Sequence, residues 1–79
     1  MGISNHVNQI ATALRSKVDG EKEMTGREFI EMLEPRCRRW GLHHPRQVSY
    51  ALREMKRRGL ISSLEESQRR GGKTFKIVV

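Results

Sequence analysis

Residues 45–79 read PRQVSYALREMKRRGLISSLEESQRRGGKTFKIVV, and this stretch decides how the chain folds. Val48, Ala51, Leu52 and Met55 recur at helical spacing and put one apolar stripe on a helix whose first turn holds Pro45. Gly59 ends that helix, with Leu60 placed to fold back on it, the pattern of a glycine C-cap. Its other faces carry Arg46, Gln47, Ser49, Tyr50, Arg53, Lys56, Arg57 and Arg58. Past Gly59 come the apolar pair Leu60-Ile61, a polar segment, the run Arg69-Arg70-Gly71-Gly72-Lys73 and the alternating strand Thr74-Phe75-Lys76-Ile77-Val78. That order predicts a β-hairpin between about Leu60 and Val79, turning at Gly71-Gly72.

Upstream, Ser4 is the expected N-cap of a first helix, with Val7, Ile10, Ala11, Leu14 and Val18 on one face. Asp19-Gly20 ends it, and Glu21-Lys22-Glu23 reads as a polar link. Thr25 and Glu28 have the spacing of a capping box, and Met24 and Phe29 that of a hydrophobic staple, so a second helix starts at about Gly26. Its inward side is Phe29, Ile30 and Leu33; Met24 fits a short β-bridge leading into it. Pro35 disfavours helical backbone at Glu34 and ends or kinks the helix there. Residues 35–41 then suit a further turn or short helix closed by Gly41, with Trp40 and Leu42 plugging the corner before His43-His44-Pro45.

The 79 residues make one domain, 1–79, near the lower size limit for folding without staples. A single cysteine, Cys37, excludes an intramolecular disulfide and suits a reducing compartment. No apolar run approaches the roughly 18 residues that span a bilayer. The first residues lack the apolar core of a signal peptide. The expectation is a cytoplasmic protein without membrane contact.

Charge is unevenly spread. Residues 1–40 hold seven basic and six acidic side chains, and residues 41–79 nine basic and three acidic, so +1 and +6 make up the net +7. A surplus gathered on the helix and hairpin of the second half implies an anionic partner on that side.

The order of elements resembles the winged helix-turn-helix family: a supporting helix, a capped second helix, a turn, a recognition helix and a two-stranded wing. The phrase from Val48 to Ile61, ending Arg58-Gly59-Leu60-Ile61, carries most of the likeness. The resemblance implies an α+β domain of three helices, with a short extra helix at 35–41, and a C-terminal hairpin wing starting at Leu60-Ile61. It also implies sequence-specific binding of double-stranded DNA by a small transcriptional regulator. Helix 45–58 would enter the major groove, with Arg46, Gln47, Ser49, Tyr50 and Arg53 facing it. Wing 60–79 would lie on the flanking backbone, with Arg69, Arg70 and Lys73 at phosphates or the minor groove. The chain departs from the family in one place: the segment between the second and third helices is longer than the usual tight turn.

Side-chain chemistry agrees with these roles. Arginine bonds guanine, and glutamine bonds adenine, through two atoms each, with each good pair contributing roughly 1–3 kcal/mol of discrimination. Lys56, Arg57 and Arg58 suit phosphates, or complement the negative end of the helix dipole. Tyr50 fits either a sugar or thymine methyl, or the rim of the core. Trp40 is expected in the core. Cys37, His43 and His44 fall short of the four ligands usual for structural zinc, so no metal or cofactor is expected. No phosphate-binding glycine loop and no nucleophile elbow is present, so no catalysis is expected.

Two other partners suit the composition. An assembly module could dock the basic face on an acidic protein, as in a replication or phage-type complex. Single-stranded or structured RNA is a weaker fit, because four aromatic residues, two of them expected in the core, make no row of stacking platforms. A half-site reader is expected to form a homodimer, although no strong heptad marks the interface.

Overall fold

The computed structural model describes residues 2–79. In chain order it has a 3-10 turn at Ile3–His6, α1 (Val7–Lys17), β1 (Glu21–Thr25), α2 (Gly26–Leu33), α3 (Cys37–Trp40), α4 (Pro45–Arg57), β2 (Ser63–Arg69) and β3 (Gly72–Val78). The architecture is α+β, four α-helices with a three-stranded antiparallel sheet of order β1-β3-β2. The short helix expected within 35–41 is α3. No helix among the described residues is long and apolar enough to cross a membrane.

Local signals set most boundaries. Thr25 Oγ1 accepts the Glu28 N–H at 3.1 Å, and Glu28 Oε1 accepts the Thr25 N–H at 2.8 Å, which closes the capping box at the start of α2. Glu34, held extended before Pro35, stops that helix (φ −64°, ψ 151°). Gly41 takes a left-handed conformation (φ 75°) as α3 ends, and Gly59 does the same (φ 76°) after α4. Beyond α4 the Leu60 N–H reaches back to the Met55 carbonyl at 2.8 Å and the Gly59 N–H to Lys56 at 3.1 Å, so the last carbonyls of the helix are satisfied.

Five expectations need correction. Ser4 does not cap α1: it lies inside the 3-10 turn, and α1 begins at Val7. Val18 is buried as expected, but on extended backbone just past the helix. Glu21-Lys22-Glu23 is strand rather than link, because the β3 backbone pairs with it residue by residue from Glu21↔Val78 to Thr25↔Thr74. Its charged residues suit an edge strand, whose free side must not recruit further strands. Leu60-Ile61 precedes the hairpin: the Gly59 cap uses Leu60, and the ladder opens when the Ser62 N–H meets the Val78 carbonyl at 2.7 Å. The hairpin turns at Arg70-Gly71, one residue earlier than expected, and Gly72 opens β3 with φ 126°.

β3 is the central strand, paired with β1 along one edge and β2 along the other, and its alternation marks the covered face: Phe75 and Ile77 are buried, whereas Lys76 between them is exposed. Directly paired residues share a face, so Met24, Phe75 and Glu66 form one row across the sheet on the core side. Above that face α1, α2 and α4 close a single core with Val7, Ile10, Leu14, Phe29, Leu33, Trp40, Val48, Leu52 and Met55 buried. Ile30 and Leu60, expected inside, pack half-buried against its edge. Cys37 is buried, and its thiol donates to the Ile30 carbonyl (3.4 Å), tying α3 back to α2. Burial first, and the Glu34 carboxylate second, push that thiol's pKa up.

Candidate functional site

Once α4 turns Val48, Leu52 and Met55 into the core, Arg46, Tyr50, Arg53 and Arg57 lie on the opposite side. Steps of four, three and four residues place these four in one stripe along the helix, and all four are exposed. Tyr50, at 49 %, is the large apolar side chain left exposed among the described residues. It borders a hollow shared with Gly2, Ile3, Ser4, Gly41 and Gln47.

Two of the expected reading residues are used otherwise. Ser49 does not face outward: it is only 9 % exposed, because α4 packs against α1 and the 3-10 turn as well as α2, which widens its buried sector. Gln47 is half-buried, and its side-chain oxygen accepts the backbone N–H of His43 at 2.7 Å and of His44 at 2.9 Å. These bonds satisfy free donors at the entry to α4 and occupy the acceptor that a two-point adenine contact needs.

The arginines of the stripe are braced differently. Glu66 of β2 accepts Arg53 Nε at 2.7 Å and Nη2 at 2.9 Å, and Lys73 Nζ of β3 lies 3.2 Å from the same carboxylate. Helix and hairpin are thereby joined through one acid. Arg57 pairs with Glu54 one turn back on its own helix. Arg58 also bonds Glu54, at 3.1 Å, and turns toward the N-terminal segment, reaching the Ser4 carbonyl at 3.2 Å and Asn8 Oδ1 at 3.5 Å. The hydrogen bond from Arg53, with help from Lys73, holds the Glu66 pKa below its ordinary value. That from Arg57, joined by Arg58, does the same for Glu54. Both arginine pKa values are raised in return, by the side-chain bond first.

The three hairpin cations expected at DNA, Arg69, Arg70 and Lys73, separate. Lys73 lies on the core side of the sheet with Phe75 and Ile77, turned toward α4 through Glu66. Arg69 is offset by one from Gln68, the partner of Lys73, so it belongs to the opposite face; there Nη2 lies 3.7 Å from Glu23 of β1. Arg70 occupies the turn and makes no ion pair among the described residues; the same holds of Arg46 and Lys56.

Glu66 organises this surface, though nothing in the sequence marks it out. Its position in a polar run gave no hint of a partner thirteen residues earlier. Arg36, Arg38 and Arg39, cations around α3 outside the expected site residues, have no acidic partner among the described residues. Arg36 and Arg39 border a groove with Trp40 and with Gln9 and Thr12 of α1. The run Arg36-Cys37-Arg38-Arg39 was the available signal, obscured by the nearly neutral balance of residues 1–40.

No protein-family model, curated protein or solved structure matches this chain.

Proposed function

We propose that this chain is a winged helix-turn-helix domain that binds double-stranded DNA as a small transcriptional regulator, with α4 in the major groove and the β2–β3 hairpin as the wing. The observation that carries this reading is the outward stripe of Arg46, Tyr50, Arg53 and Arg57 lying beside a basic hairpin linked to it through Glu66. The supporting α1, the capped α2, α4 and the two-stranded hairpin also follow one another in the family's order. The thirteen residues of α4 span about 20 Å, a rod that fits a major groove roughly 12 Å wide. α3 lies between α2 and α4 in the chain, and Arg38 shares a hollow with Leu42 and His43 just before α4 begins.

Arg46 and Arg53 supply base contacts in this mechanism, and Tyr50 supplies an apolar contact to a sugar or a thymine methyl. Arg57, Lys73 and Arg70 supply charge at the phosphates. The chemistry is recognition alone, with no bond made or broken.

Selection of duplexes from a random pool, followed by titration on the selected duplex and a scrambled version at several salt concentrations, tests the proposal. Tighter binding to the selected duplex, weakening steeply with salt, is the expected result. Equal binding to both ends the regulator assignment and leaves an architectural role. Absence of binding to either at low salt moves the acidic-protein partner ahead.

A further inference from the structure

We propose that Glu66 is the positioning residue for Arg53, holding its guanidinium so that its outer edge reads a guanine; this rests on the DNA-binding reading above. A guanidinium has five N–H donors fixed in one plane. Glu66 takes the side edge, Nε at 2.7 Å and Nη2 at 2.9 Å. The end edge, formed by Nη1 and the second hydrogen of Nη2, remains as two parallel donors. Arg53 is 61 % exposed at its side chain, on the face of α4 opposite the core, so this end edge is open to a partner.

Two parallel donors select among base pairs. Guanine offers O6 and N7 side by side in the major groove, whereas adenine sets an N6 donor beside N7 and opposes one of the two N–H groups. An arginine braced in advance also loses less freedom on binding than one sweeping through solvent. The brace itself is firm. Glu66 pairs with Phe75 in the ladder, beside a ring buried in the core, and its side chain is 20 % exposed. Lys73 Nζ, 3.2 Å from Oε1, leaves two cations around one carboxylate, so the acid does not turn the surface negative. Arg57 is held by the same kind of fork, Nε and Nη2 on Glu54, but that acid lies on its own helix and is shared with Arg58, so it does not tie Arg57 to the hairpin.

The test titrates wild type, Arg53→Ala, Glu66→Ala and Glu66→Gln against the selected duplex and against duplexes carrying 7-deazaguanine, which lacks the N7 acceptor, at each guanine in turn. Circular dichroism and thermal melting establish that each variant is folded. One guanine is expected at which 7-deaza substitution weakens wild-type binding about fivefold or more and leaves Arg53→Ala unaffected. Glu66→Ala should lose most of that discrimination, and Glu66→Gln, which keeps an acceptor for the side edge, should recover part of it. If Glu66→Ala instead binds selected and scrambled duplexes equally more tightly, Glu66 masks the arginine and the proposal is overturned. Wild type preferring the selected duplex with no guanine dependent on Arg53 overturns this inference alone. Wild type binding no duplex overturns the DNA-binding reading with it.

Discussion

Gly26, the first residue of α2, lies directly against Pro45, the first residue of α4. A Cβ placed on Gly26 would be 2.8 Å from the Pro45 carbonyl oxygen, 3.0 Å from its Cβ and 3.1 Å from its Cα. Most of those atoms are backbone or locked in a ring, so the neighbour has little room to yield. The close approach brings the two helix starts together and thereby sets where the exposed stripe of α4 begins. Arg27 and Arg46, each next in sequence to one of the two residues, are both exposed beside this junction.

Gly26→Ala should therefore destabilise the fold despite alanine's better helix propensity. Overpacking of this kind costs about 1–3 kcal/mol, against a propensity gain of about 1 kcal/mol. Gly71→Ala is the matched control, since nothing lies within 4 Å of its added Cβ. Urea denaturation of both variants checks the contrast, and a Gly26→Ala protein as stable as wild type would refute the tight junction.

Capping gives a second prediction. Thr25→Ala removes the acceptor for the Glu28 N–H and should cost about 0.5–2 kcal/mol. Gln47→Ala releases the His43 and His44 N–H groups and should likewise lower stability, by about 1 kcal/mol. In DNA titrations Gln47→Ala should weaken binding without relaxing preference at one A·T pair. A base-specific loss would show that Gln47 reads adenine instead of supporting the helix.

The acid side of the stability curve follows from Glu54 and Glu66. Each carboxylate is held below its ordinary pKa by arginine, so its contribution is fully present above the unfolded-state value and is lost as pH falls through the lower native value. Wild type should consequently lose stability on acidification below about pH 4. The double variant Glu54→Gln/Glu66→Gln should be less stable at neutral pH and show a flatter acid limb. Thermal melts between neutral and acid pH measure both slopes; identical slopes would exclude these two pairs as the source.

The hairpin residues should not behave alike. Arg70 stands in the turn without an acidic partner among the described residues, whereas Arg69 points to the far sheet face, toward Glu23. Arg70→Ala should flatten the salt dependence of DNA binding by up to about 0.9 in the log–log slope for a lost phosphate contact. Arg69→Ala should change it less. The opposite ranking would mean that the outer face of the sheet meets the nucleic acid.

Much of this protein was legible from the chain because its signals are local. Thr25 and Glu28 are three residues apart, Gly59 follows its helix directly, and the periodicity of Val48, Leu52 and Met55 names the buried side of α4 without reference to the rest of the fold. Propensity and capping act within a few residues, so a reader of the sequence sees both partners at once. Tertiary structure decided what depended on distant partners. Glu21-Lys22-Glu23 has no strand pattern of its own and becomes β1 because β3, more than fifty residues later, offers free backbone donors and acceptors. Ser49 is buried because α1 and the 3-10 turn cover the flank of α4, which the helical period alone leaves outside. Arg53 and Arg69, both arginines in basic surroundings, meet Glu66 and Glu23 on different faces of the sheet because ladder register assigns the sides. Which cations the chain carries is a property of its sequence; which of them remain open to a partner is set by the acids that folding brings beside them.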